Sequence, residues 1–141
     1  MKLYAKLFSL TCFVSIFSMA GCRKPQKEDT ITKEELAGTY KVTALKYTSP
    51  AGQEQDIFSS LPDCDKESRQ VLNANSTYEF IDACTPPEDH TGTWSLISSH
   101  KIVIDAVEAD LVSFDGHNLM ISVTNLGGSM DGKITETLTR Q

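Results

Sequence analysis

Beyond residue 38 the chain is cut by turn residues so often that no segment has room for a long amphipathic helix. Its runs are short and rich in β-branched and aromatic residues: 39–48, 69–72, 77–82, 93–97, 101–105, 109–114, 118–124 and 133–139. Such runs read as strands. Between them stand Ser49-Pro50-Ala51-Gly52, Asn73-Ala74-Asn75-Ser76, Ser98-Ser99-His100, Asp115-Gly116 and the Gly-rich stretch 126–132, all turn or loop chemistry. The pattern predicts about eight short strands joined mostly as hairpins. With no helices alternating between strands, a βαβ architecture is disfavoured. An up-and-down barrel removes exposed sheet edges and is the expected arrangement; a two-sheet sandwich uses the same signals and is the alternative.

Period-2 alternation assigns faces within these strands. Tyr40, Val42 and Ala44 share one face, as do Tyr78 and Phe80, then Trp94 and Leu96. In the last strand Ile134, Glu136 and Leu138 fall together, which directs a carboxylate inward. Such a group needs a partner or a polar ligand. It is either a hydrogen-bonding group in a ligand cavity or, as expected here, a residue returned to solvent by a local bulge. The stretch 53–68 has no alternation and is expected to be a long loop with one helical turn, packed over one end of the fold.

The N-terminus carries export information. Lys2 and Lys6 precede an apolar run from Leu7 to Met19, followed by Ala20-Gly21-Cys22. A charged start, a short apolar core and a small-residue cleavage site describe a secretory signal. The apolar run is shorter than the ~20 residues a membrane-spanning helix needs. The Ala-Gly-Cys ending resembles the lipobox of bacterial lipoproteins. It implies that 1–21 is removed and that Cys22 carries acyl chains such as palmitate. Two or more chains anchor a protein far more firmly than one. Residues 23–30 are charged and contain no apolar side chain, as expected of a flexible tether. No Asp follows Cys22 directly, which by the sorting rules of such lipoproteins implies the outer membrane. Asp29-Thr30-Ile31 matches an Asp-Ser/Thr-aliphatic pattern for O-glycosylation in some Gram-negative anaerobes, so Thr30 is a candidate site.

The formal net charge is −6. Losing Lys2 and Lys6 with the leader makes it more negative. An acidic chain is a poor partner for nucleic acid or for anionic lipid headgroups. Of the four cysteines, Cys12 leaves with the leader and Cys22 is acylated, leaving Cys64 and Cys84. Outside the cytoplasm two remaining cysteines are expected to pair. Closing their loop stabilises a fold by about 3 kcal/mol in the chain-entropy model. A metal site is the alternative, although two cysteines without a nearby His give poor zinc spacing.

Leu36-Ala37-Gly38-Thr39-Tyr40 and Thr91-Gly92-Thr93-Trp94 echo one another. Lipocalins open their first strand with Gly-X-Trp, and Gly38-Thr39-Tyr40 resembles that start, with Tyr for Trp. Leu61-Pro62-Asp63-Cys64, Asn75-Ser76-Thr77-Tyr78, Cys84 and Gly92-Thr93-Trp94 follow in the order seen in the lipocalin-like domains of bacterial lipoproteins of the Bacteroidota type. The resemblance covers about residues 35–141 and implies an eight-stranded lipocalin-like barrel after the leader (1–21) and the lipidated tether (22–34). It also implies that Arg140 packs on the first-strand aromatic, here Tyr40, as a cation–π contact.

No catalytic constellation stands out. His90, His100 and His117 fall at expected turns and form no metal-binding pair. There is no nucleophile elbow. Gly127-Gly128 precedes a strand rather than a helix, and Asp63, Asp65 and Glu67 lack calcium-loop spacing. Asn75-Ser76-Thr77 fits a glycosylation sequon but reads as a turn. The expectation is therefore a membrane-anchored binder of a small apolar ligand, without cofactor, metal or enzymatic activity. Tyr40, Phe80, Trp94, Leu96, Leu111 and Glu136 are the candidate ligand contacts, although each apolar one also suits a filled core. The alternative is an envelope module that binds another protein through the 49–68 loop.

Overall fold

The computed structural model describes residues 30–124 and 131–141. The expected leader, Cys22 and the expected tether up to residue 29 lie outside the described residues, as does most of the expected 126–132 loop. The fold opens with α1 (Lys33–Leu36). The Thr32 hydroxyl accepts from the Glu35 backbone N–H at 3.3 Å, and the Glu35 carboxylate accepts from the Thr32 N–H at 2.8 Å. This capping box makes Lys33 and Glu34 helical, where the sequence pattern places them in the tether.

The strands are β1 (Gly38–Thr48), β2 (Glu54–Asp56), β3 (Arg69–Leu72), β4 (Thr77–Ile81), β5 (His90–Ser98), β6 (Lys101–Ile104), β7 (Val107–Phe114), β8 (Asn118–Thr124) and β9 (Lys133–Arg140). They form one antiparallel sheet in the order β2-β1-β3-β4-β5-β6-β7-β8-β9, and β1 also pairs with β9. The sheet therefore closes in a ring, which replaces the sandwich alternative. The ninth strand is the difference from expectation. β2 pairs only with Lys46–Thr48 of β1, beyond the point where β3 has ended. It lies in the stretch expected as loop, which also holds a 3-10 turn (Phe58–Ser60) and α2 (Asp63–Glu67).

Directly opposed residues of antiparallel strands share a face, so the registers define the interior. Tyr40, Gln70, Phe80 and His90 form one inward row, and Leu72, Tyr78 and Gly92 another. Three register shifts interrupt the ladders, at Thr43, Ile97 and Val112. The first corrects the expected face of Ala44. Thr43 is an extra residue in β1, its hydroxyl 2.9 Å from that of Thr139. The bulge flips the parity, so Leu45 rather than Ala44 stands on the inward row, opposite Glu136. Ile97 and Val112 occupy the other two shifts and are exposed.

The core is packed at the α1 end. Leu36, Tyr40, Leu72, Trp94, Ile102, Leu119 and Leu138 are fully buried there. The two Gly-Thr-aromatic segments play parallel parts. The Tyr40 hydroxyl donates to the Leu36 carbonyl at 2.7 Å, and Trp94 Nε1 donates to the Asn73 carbonyl at 2.8 Å. Each glycine leaves room for a charged side chain. A Cβ at residue 38 would sit 2.9 Å from Arg140 Nε, and one at residue 92 would collide with the Asp105 carboxylate. Arg140 lies over the Tyr40 ring at 5.4 Å and the Phe114 ring at 5.5 Å. It donates to the Glu35 and Ala37 carbonyls, tying the last strand to α1.

Candidate functional site

The half of the interior away from α1 has a different character. Leu45, Gln70, Phe80, Ile104, Val123, Ile134 and Glu136 stand on or beside the inward rows and are only half-buried. Apolar walls thus surround a small polar set made by four strands. Glu136 on β9 sits between Leu45 of β1 and Ile121 of β8. Alternation in β9 is unbroken because the bulge is in its partner, so the expected escape of Glu136 into solvent does not occur. Gln70 Nε2 donates to Glu136 Oε1 at 2.7 Å. Among the described residues nothing bonds Oε2, and it is not a sealed buried atom. Burial pushes the Glu136 carboxyl up to about 7, against the lowering pull of the Gln70 amide.

Tyr78, on β4, is 8% exposed. Burial first, then the negative charges of Glu136 and Asp105, push its phenol up to about 12. The phenol is therefore a neutral donor at any physiological pH. At the rim, His90 Nε2 lies 2.6 Å from Asp105 Oδ2. Asp105 and Ala106 form the β6–β7 turn with φ of 50° and 66°, the left-handed pair that a two-residue hairpin requires. That turn lays the Asp105 carboxylate over the bare Cα of Gly92.

The structure divides the expected contact residues. Tyr40 and Trp94 belong to the sealed α1 end, and Leu111 is buried in the same core. Phe80 and Leu96 are half-buried against it. Only Phe80 and Glu136 join the polar set. The sequence pattern does not single out Gln70, His90 or Asp105. His90 begins β5 instead of lying in a turn. Counting back by twos from Trp94 places Gly92 and His90 on Trp94's face, and counting back from Leu72 does the same for Gln70. His100 and His117 stand in turns.

Cys64 and Cys84 sulfurs lie 2.11 Å apart, at disulfide distance, across 20 residues of sequence. Asp65 Oδ1 approaches Cys84 Sγ at 3.0 Å, and these three side chains are near enough to share an ion. A disulfide has no thiolate to offer one, so the metal alternative does not fit. The pair fastens α2 to the loop after β4. Asp82 holds that loop, its Oδ1 accepting from the Cys84 N–H at 2.8 Å and its Oδ2 from the Glu88 N–H at 3.0 Å. These bonds, with that of Ser68, lower the Asp82 carboxyl from its ordinary value. Thr30 is exposed at the start of the described chain.

No described helix is long and apolar enough to cross a membrane. Comparison of the chain with protein-family models, curated proteins and solved structures finds no match.

Proposed function

We propose that this chain is a lipid-anchored protein of the bacterial cell envelope, that its closed sheet is a lipocalin-like barrel, and that it carries a small, largely apolar ligand in the half of the interior away from α1. One observation carries the reading: the fully buried side chains gather at the α1 end, while toward the other end Leu45, Gln70, Phe80, Val123 and Ile134 are half-buried around a carboxylate with one unbonded oxygen. Closed eight-stranded sheets have interiors just wide enough to fill with side chains or to hold one small ligand. Pockets of mostly apolar lining with a few convergent polar groups are what small-molecule sites look like. The lipobox-like Ala20-Gly21-Cys22 supports the anchor and the envelope location. Carriage is favoured over catalysis because, among the described residues, the His90–Asp105 pair has no hydroxyl or thiol nucleophile bonded to it.

The test is native mass spectrometry of the protein purified from its own host. A co-purifying small molecule, with a Cys22 mass increased by acyl chains, is the expected result. An empty chain recovered with a protein partner would support the interaction reading instead. The exposed strand β2 favours that second reading: it is paired on one side only, leaving an edge to which a partner strand could add.

A further inference from the structure

The polar set inside the ring has a sign. Glu136 supplies a carboxylate, Tyr78 a neutral phenol and Gln70 an amide that is already engaged, while at the rim the Asp105 carboxylate is bonded to His90. The basic residues nearest the interior are committed elsewhere. Arg140 is held by carbonyls and Tyr40 at the sealed end, and Lys33 lies over Trp94 and bonds Ser76 there. A fatty-acid anion entering from the other end would meet the Glu136 carboxylate, and the one base at that rim, His90, is already bonded to Asp105, in a setting where unpaired charge is costly. A protonated amine would meet the reverse. Glu136 Oε2 is free to accept a hydrogen bond from it, the Tyr78 oxygen has no partner among the described residues, and the Phe80 ring stands in the row beside Gln70. Aromatic faces beside a carboxylate are a common setting for ammonium groups.

We propose that the interior selects an amphiphile with a protonated amine head, its tail against Leu45, Ile104, Val123 and Ile134 and its head between Glu136 Oε2 and the Tyr78 hydroxyl. This rests on the carriage reading and adds the ligand class. Binding such a cation favours the charged carboxylate, so below about pH 7 a proton leaves Glu136 as the amine arrives.

The test uses the full chain at pH 7.5 with three eight-carbon probes: octylammonium, octanol and octanoate, titrated by calorimetry. Octylammonium should bind about tenfold more tightly than octanoate, with octanol between them. Glu136→Gln should weaken octylammonium about tenfold and leave octanol within about twofold. Octanoate binding as tightly as octylammonium overturns the inference and leaves carriage standing. So does a variant that keeps the preference. Failure of all three probes to bind overturns carriage and the inference together. The order of the probes on the unaltered chain is informative even if the variant folds poorly.

Discussion

Arg140 donates a 2.8 Å hydrogen bond to the Tyr40 hydroxyl while its guanidinium lies over the same ring. One side chain near the end of the chain thereby joins the first strand, the last strand and α1. Arg140 Nε is buried with no partner, a cost that the remaining bonds must exceed.

Arg140→Ala is expected to destabilise the fold by about 2–3 kcal/mol, since it removes charge-assisted bonds and a ring contact at a packed end. Arg140→Lys should recover less than half, because an ammonium cannot reproduce the planar fork. Urea denaturation measures both. A loss under about 0.5 kcal/mol for the alanine variant would mean that α1 is held without Arg140.

Gly92→Ala places a methyl where the Asp105 carboxylate lies, and about 1–3 kcal/mol of destabilisation is expected from the overlap. Asp105→Gly removes the carboxylate and suits the positive φ at that position. The two substitutions together should cost less than their sum. Thermal melts of the four proteins give the coupling, and simple additivity would show that the two residues do not meet.

Replacing both Cys64 and Cys84 by Ser should cost about 3 kcal/mol through the freed chain between them. Because the gain lies in the unfolded chain, the best-protected amides of β8 and β9 should lose protection by a similar amount in hydrogen exchange. Loss confined to α2 and the loop after β4 would show that the bridge acts only locally.

Glu136 has a folded-state value of about 7 against an ordinary 4.5, so the native state holds this proton more tightly than the unfolded chain. The stability it contributes is complete below about pH 4.5 and is lost as pH rises through about 7. The groups facing it are Leu45, Ile121, Gln70 and Tyr78, none of them a cation. Glu136→Gln should therefore gain on the wild type as pH rises from about 5 to about 8, by up to about 3 kcal/mol. A difference that stays constant with pH would show that the carboxyl titrates as though in water.

Much of the ring is legible in the sequence, because turn chemistry marks hairpins locally. Asp115-Gly116 is the clearest case: Asp115 Oδ1 accepts from the His117 and Asn118 N–H groups at 2.8 and 2.6 Å, and these bonds, Asn118 first, lower its carboxyl to about 2. Bulges are not legible. Nothing in Lys41-Val42-Thr43-Ala44 announces an extra residue, since the Thr43 hydroxyl finds its partner Thr139 only across the closed sheet. β2 escapes the pattern because Glu54-Gln55-Asp56 has no strand-like side chains and pairs only because β1 is longer than β3. The interior polar set is half legible. Glu136 stands out as a misplaced carboxylate, but Gln70 reaches the interior through register, and turn geometry brings Asp105 to the rim beside His90. Thr32 and Glu35 spell a capping box that the charged surroundings hide.

Carriage inside the ring is tested most directly by methyl NMR of the labelled full chain during octylamine titration. An interior ligand predicts shifts at Leu45, Ile104, Val123 and Ile134, with Ile97 and Val112 on the outside unmoved. Shifts confined to those outer residues, or to β2 and the loops around it, would contradict it.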